Sequence, residues 1–132
     1  MAIEFEIVDI WLGNFPSRAR LEAYFHEVID PDDDDVPISE FATAMHQPFY
    51  DHDFVEHRFH DSNQSPDGLL RPHSFAKSYL GNAVEAAARL GVLSGNTSVL
   101  VWGHSILHPI SVITEEYSLN YIGRFECDPS VG

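Results

Sequence analysis

Residues 50–62, YDHDFVEHRFHDS, set four acidic side chains and three histidines among three aromatic rings. Read as a helix, the stretch puts Asp53, Glu56, His57 and His60 on one face, where imidazoles and carboxylates at one-turn spacing converge on a point and could hold a metal ion. The chain would then be a metal-binding regulator or a metal-dependent hydrolase. Read as a strand, it points Glu56 and His57 to opposite sides, and that site disappears. A solvated face explains the same residues. Asp51 and Asp53 suit a helix N-terminus, Asp53 and Glu56 have capping-box spacing, and the histidines face water. No HExxH, cysteine set or calcium-loop pattern accompanies the group, so no metal or cofactor is assigned.

Three further arrangements have chemical content. In WGHSILHP, His104 and His108 lie four apart with Ser105 between them, but the run follows a strand and lacks both a nucleophile-elbow glycine context and an orienting acid. It reads as a strand-end loop, so no catalytic residue is assigned. DPDDDDVP (30–37) holds five aspartates, four of them between its two prolines. It lacks the glycine and the glutamate that a calcium loop needs at its sixth and twelfth positions, and it reads as an exposed charge run. Trp11 and Trp102, each among β-branched neighbours, read as core. No glycine-rich phosphate loop occurs.

The balance of charge narrows the partners. Twenty-one acidic residues against seven basic ones give a formal net charge of −14. This repels nucleic-acid phosphates and anionic headgroups and favours fast encounter with a basic protein. No run is long and apolar enough to span a bilayer, and the acidic opening MAIEFEIVD lacks the basic cluster of a secretory signal. The single cysteine, Cys127, reads as a small buried residue of a reduced cytoplasmic protein.

At 132 residues, 44% of them hydrophobic, the chain can build a core without staples, and a single domain over 1–132 is expected. Ile3, Phe5 and Ile7 alternate with Glu4 and Glu6 before Val8, Ile10 and Leu12 take over the apolar parity. That predicts a strand with a bulge, or a half-exposed start running into a buried centre. Ser17 caps a helix with Leu21, Tyr24, Phe25, Val28 and Ile29 as its stripe. A short helix over 38–47 turns Ile38, Phe41, Ala42 and Met45 inward, and Pro48 closes it. After a polar loop at 61–68, Ser74 caps another helix, which Gly81-Asn82 is expected to break before AVEAAARL. TSVLVWG (97–103) is a central strand. In the last strand, 117–127, Tyr117, Leu119, Tyr121, Phe125 and Cys127 share one parity. The order predicts an α+β fold: an antiparallel sheet with the last two strands adjacent and the helices on one face.

VDIWLGNFPSRARLEAYF (8–25), PISEFATAMHQPFYDHDFVE (37–56) and YIGRFEC (121–127) together resemble the Immunity protein 22 family of bacterial polymorphic toxin loci. The shared features are the IWxGNF turn before a helix ending in an aromatic pair, S-x-F followed by YDxDF, and the closing strand with Ile122-Gly123-Arg124-Phe125. The resemblance implies a cytoplasmic, non-enzymatic inhibitor that binds and neutralises a cognate toxin domain, with no catalytic residues to carry over. A basic nuclease is one candidate toxin, since carboxylates can sit where its phosphates would. On that reading the partner-binding residues are Asp30, Asp32, Asp33, Asp34 and Asp35, with Asp51, Asp53 and Glu56 as a second cluster and Phe49 and Tyr50 as aromatic anchors.

Overall fold

A computed structural model describes residues 7–128 and 130. The alternating start at Ile3 and Phe5 lies outside the described residues. The elements in order are β1 (Ile7–Asn14), α1 (Arg18–Phe25), α2 (Glu40–Ala44), β2 (Val55–Gln64), α3 (Pro66–Leu70), α4 (Ala76–Arg89), β3 (Gly95–Trp102), β4 (Val112–Ile113) and β5 (Ser118–Glu126). The strands form one antiparallel sheet in the order β2-β3-β1-β5-β4, and the fold is α+β as expected.

The helices divide between the two faces of the sheet rather than gathering on one. Val8, Ile10 and Leu12 of β1 point into a core completed by Leu100 and Trp102 of β3 and by α3 and α4. Trp11, Val99 and Val101 point the other way, into a core with α1 and α2. This is why residues 10–12 and 99–102 are apolar at successive positions and not at alternate ones: both faces are dry. The last two long strands are not adjacent either, because β1 lies between β3 and β5.

The ladder irregularity lies across from β1. Ile10 opposes Gly123 while Trp11 opposes Tyr121, leaving Ile122 as the extra residue of β5. Gly123 takes φ 146°, a backbone conformation that side chains disfavour. The bulge switches the strand's parity. Leu119, Tyr117 and Tyr121 therefore serve the α1/α2 core, whereas Ile122, Phe125 and Cys127 serve the α3/α4 core, correcting the single-parity reading. Gly13 matters for space: a Cβ there would overlap the Ser118 carbonyl of β5.

Helix limits also differ in places from the sequence pattern. Ser17 Oγ accepts from Arg20 N as a cap should, and Leu21, Tyr24 and Phe25 are buried. The helix stops at Phe25, however, and Val28 and Ile29 stand 65% and 67% exposed beyond it. The 61–68 stretch is not one loop: β2 runs to Gln64, and Pro66 opens α3 with Ser65 as its cap. Ser74 does not cap α4, whose N-cap position is Phe75 at φ 57°. Gly81-Asn82 does not break it, since Tyr79, Ala83, Ala86 and Ala87 keep one continuous buried stripe. The short helix α2 follows its pattern, with Ile38, Phe41, Ala42 and Met45 buried and Ser39 as cap.

Candidate functional site

Residues 52–54 form one 3-10 turn and Val55 begins a strand, so the metal constellation does not assemble. Strand geometry sends Val55, His57 and Phe59 to the α1/α2 side and Glu56, Arg58 and His60 to the other. The His57 ring stacks on Phe25 with centroids 4.4 Å apart, while Glu56 turns toward the loop before α4. Among the described residues no group of three or more His, Cys, Asp or Glu side chains could hold an ion.

Glu56 has a different engagement. Its Oε1 accepts from His73 Nδ1 at 2.9 Å and from the Ser74 backbone N–H at 3.2 Å, and His73 Nε2 lies 2.6 Å from Ser98 Oγ. Burial opposes the charge on Glu56, but hydrogen bonds from His73 and Ser74 outweigh it and hold its pKa at about 2. Acid, imidazole and hydroxyl stand in series, yet Ser98 is 0% exposed and its hydroxyl also contacts the Leu69 carbonyl. No nucleophile reaches solvent there, so the series is a strut joining β2, β3 and the α3–α4 turn. A second buried polar unit joins β1 to β5: Asp9 accepts from Arg124 Nε and Nη2, both at 3.0 Å, and from the Tyr121 hydroxyl at 2.6 Å. Sequence reasoning missed both units. The available signal for the second was a lone aspartate inside an apolar strand, which must find a partner.

The exposed acidic residues gather elsewhere. Val28 N donates to the Ile38 carbonyl and Ile38 N to the Pro48 carbonyl, so the aspartate loop is pinned at its base beside Pro48 and Phe49. Within the loop, Asp30 and Asp33 carboxylates accept from the backbone N–H of Asp32 and Asp35. A groove of about 320 Å³ results, with Asp30, Asp33 and Asp34 around Ile29, Val36 and Phe49. Phe49 is 61% exposed at its wall. Asp32 and Asp35 lie on the loop's exposed surface outside the groove lining.

The other sequence candidates separate. Tyr50 is 2% exposed, a member of the α1/α2 core with its hydroxyl 2.9 Å from Ser39 Oγ, and it presents no ring to a partner. Asp51 accepts from the Asp53 N–H, and Asp53 lies 3.3 Å from His52, whose other nitrogen lies 3.4 Å from Glu27. Glu27 precedes the pinned Val28, so this second cluster adjoins the first. Glu56 is not part of it, being held by His73. The sequence did not mark Ile29 and Val36 as groove residues, because nothing between Phe25 and Ile29 signals the helix end.

No helix among the described residues is long and apolar enough to cross a membrane. No curated protein and no solved structure matches the chain. A family model described as Immunity protein 22 matches residues 8–128, a span that contains both cores and the aspartate loop. The chain belongs to the Immunity protein 22 family and is, in general terms, an immunity protein that binds a protein toxin.

Proposed function

We propose that this protein neutralises a cognate toxin domain in the cytoplasm, without turnover, by applying the aspartate-rimmed groove to a basic surface of the toxin. The observation that carries the reading is the groove itself: three carboxylates around exposed apolar residues, one of them aromatic. An interface of this kind divides its labour. The apolar centre, once desolvated, holds the partner, while the charged rim accelerates encounter and fixes orientation. A nuclease domain suits the partner role, because a surface built to hold phosphates presents arginine and lysine where these aspartates would meet them.

The test is titration of the toxin domain encoded beside this gene, with inhibition expected to end at one equivalent. Changing Asp30, Asp33 and Asp34 together to asparagine should slow association about tenfold at low ionic strength and flatten its salt dependence. Phe49→Ala should act instead on dissociation, costing about 2 kcal/mol of affinity. Association kinetics indifferent to the three aspartates would leave the charge a solubilising role only and overturn the groove assignment.

A further inference from the structure

β2 is an edge strand whose far side meets no other strand among the described residues, and a long free edge is a pairing template unless something blocks it. A groove of about 480 Å³ runs along this edge, lined by residues 55–60 together with Arg18 and Glu22 of α1. It also holds two arginines without an acidic partner among the described residues, Arg18 resting instead on the Phe59 carbonyl and ring. Arg20, Arg71, Arg89 and Arg124 are all ion-paired, whereas Arg18, Arg58 and Lys77 have no carboxylate partner among the described residues, and the first two line this groove.

We infer that the β2 edge is a self-association surface, on which two copies of this chain pair antiparallel about a twofold axis through His57. The sequence of the edge carries the inference. Residues 55–59 read Val-Glu-His-Arg-Phe: apolar, acidic, histidine, basic, apolar. In an antiparallel pair centred on His57, each residue meets the one equally distant on the other side of the centre. Val55 of one copy therefore faces Phe59 of the other, Glu56 faces Arg58, and His57 faces itself. One face of the new ladder gains two apolar cross-strand pairs and the other gains two opposite-charge pairs. A register shifted by one whole pair sets Arg58 against Arg58 or Glu56 against Glu56, so charge selects the centre.

The side chains on the edge are disposed for this. Val55 and Phe59 are only partly buried against the α1/α2 core, so pairing covers apolar surface that remains open. Glu56 commits Oε1 to His73 and Ser74 and leaves Oε2 for Arg58 of the second copy, which is itself exposed and unpaired. Partial desolvation pushes the His57 pKa down, so the two imidazoles at the axis meet uncharged at neutral pH. The Phe59 carbonyl is turned outward, where Arg18 Nη2 donates to it at 3.3 Å. By the two-residue alternation of an antiparallel ladder, the main-chain groups of Val55 and His57 also face outward and can form the new hydrogen bonds. Arg18 must give up one long, exposed bond for this to happen.

This inference is independent of the toxin and is tested without it. Sedimentation equilibrium of the full chain should show a monomer–dimer equilibrium, and Arg58→Glu, at an exposed position, should weaken it by at least tenfold by placing Glu56 against a second glutamate. Register is read by cysteine pairing, since facing residues lie within disulfide reach. His57→Cys alone should cross-link two copies under mild oxidation. Val55→Cys and Phe59→Cys should each fail alone but cross-link when mixed. A chain that stays monomeric up to millimolar concentration overturns the proposal and leaves the edge to a strand from another protein. A dimer unaffected by Arg58→Glu, with no cross-link through position 57, overturns it equally.

Discussion

Arg124→Met is expected to destabilise the fold by about 3–5 kcal/mol, well beyond the loss from Asp9→Asn at the other end of the same ion pair. The asymmetry follows from exposure. The Asp9 side chain is 0% exposed and that of Arg124 is 34% exposed. Removing the arginine strands a carboxylate inside the sheet with the Tyr121 hydroxyl as its only remaining side-chain partner among the described residues. Replacing Asp9 by asparagine leaves a guanidinium that can turn to water, and the amide still accepts from Tyr121. That change should cost about 1–2 kcal/mol. Urea unfolding of the two single variants and of the pair gives the comparison, with the double variant more stable than Arg124→Met alone. Equal losses in the two single variants would show that the pair is hydrated and not buried.

The second large effect lies at Glu56, His73 and Ser98. His73→Ala removes an imidazole whose side chain is 0% exposed, opens a cavity and deprives Glu56 of its best donor, for an expected loss of about 3 kcal/mol. A pH signature accompanies it. The pKa of Glu56 is depressed from 4.5 to about 2 in the folded protein, so the unfolded chain binds that proton more tightly. The stabilisation is therefore complete above pH 4.5 and is lost as the pH falls through about 2. With the Glu56 side chain 31% exposed, solvent screening reduces the contribution to about 2 kcal/mol. Denaturant midpoints measured across this window should fall more steeply for the wild type than for Glu56→Gln. Parallel curves would mean that His73 does not hold the carboxylate.

The parts of this fold that rest on local signals are legible in the sequence. Ser17 and Ser39 cap where an N-cap residue precedes a helical stripe, and the β-branched run at 97–102 forms β3. Trp11 and Trp102 are core for the same reason. What failed is what tertiary packing decides. Residues 51–61 fit a helix face and a strand equally well by residue type, and pairing with β3 chose the strand. Gly81-Asn82 looks like a break, but nothing approaches Gly81 within 4 Å, so the weak helix former sits harmlessly on the outer face while the inner stripe holds α4 together. Helices on both sides of the sheet were signalled by the unbroken apolar runs at 10–12 and 99–102, a sign of strands dry on both faces. Of the candidate site, the aspartates and Phe49 could be read as surface from composition and flanking prolines. The burial of Tyr50, one residue on, depends on a hydrogen bond to Ser39 that no local pattern announces.

The position of β1 sets when this protein can exist at all. Its two neighbours in the sheet are β3 and β5, whose paired residues lie 84 to 119 positions further along the chain. The first strand made is thus the central one, and it must wait for the last strand made before its second edge is covered. A chain emerging from the ribosome cannot complete the sheet until residues 118–126 are outside the exit tunnel. Protection from the toxin then begins only once β5 has joined β1, and a cell that starts both proteins together is exposed for the folding time of this nonlocal sheet.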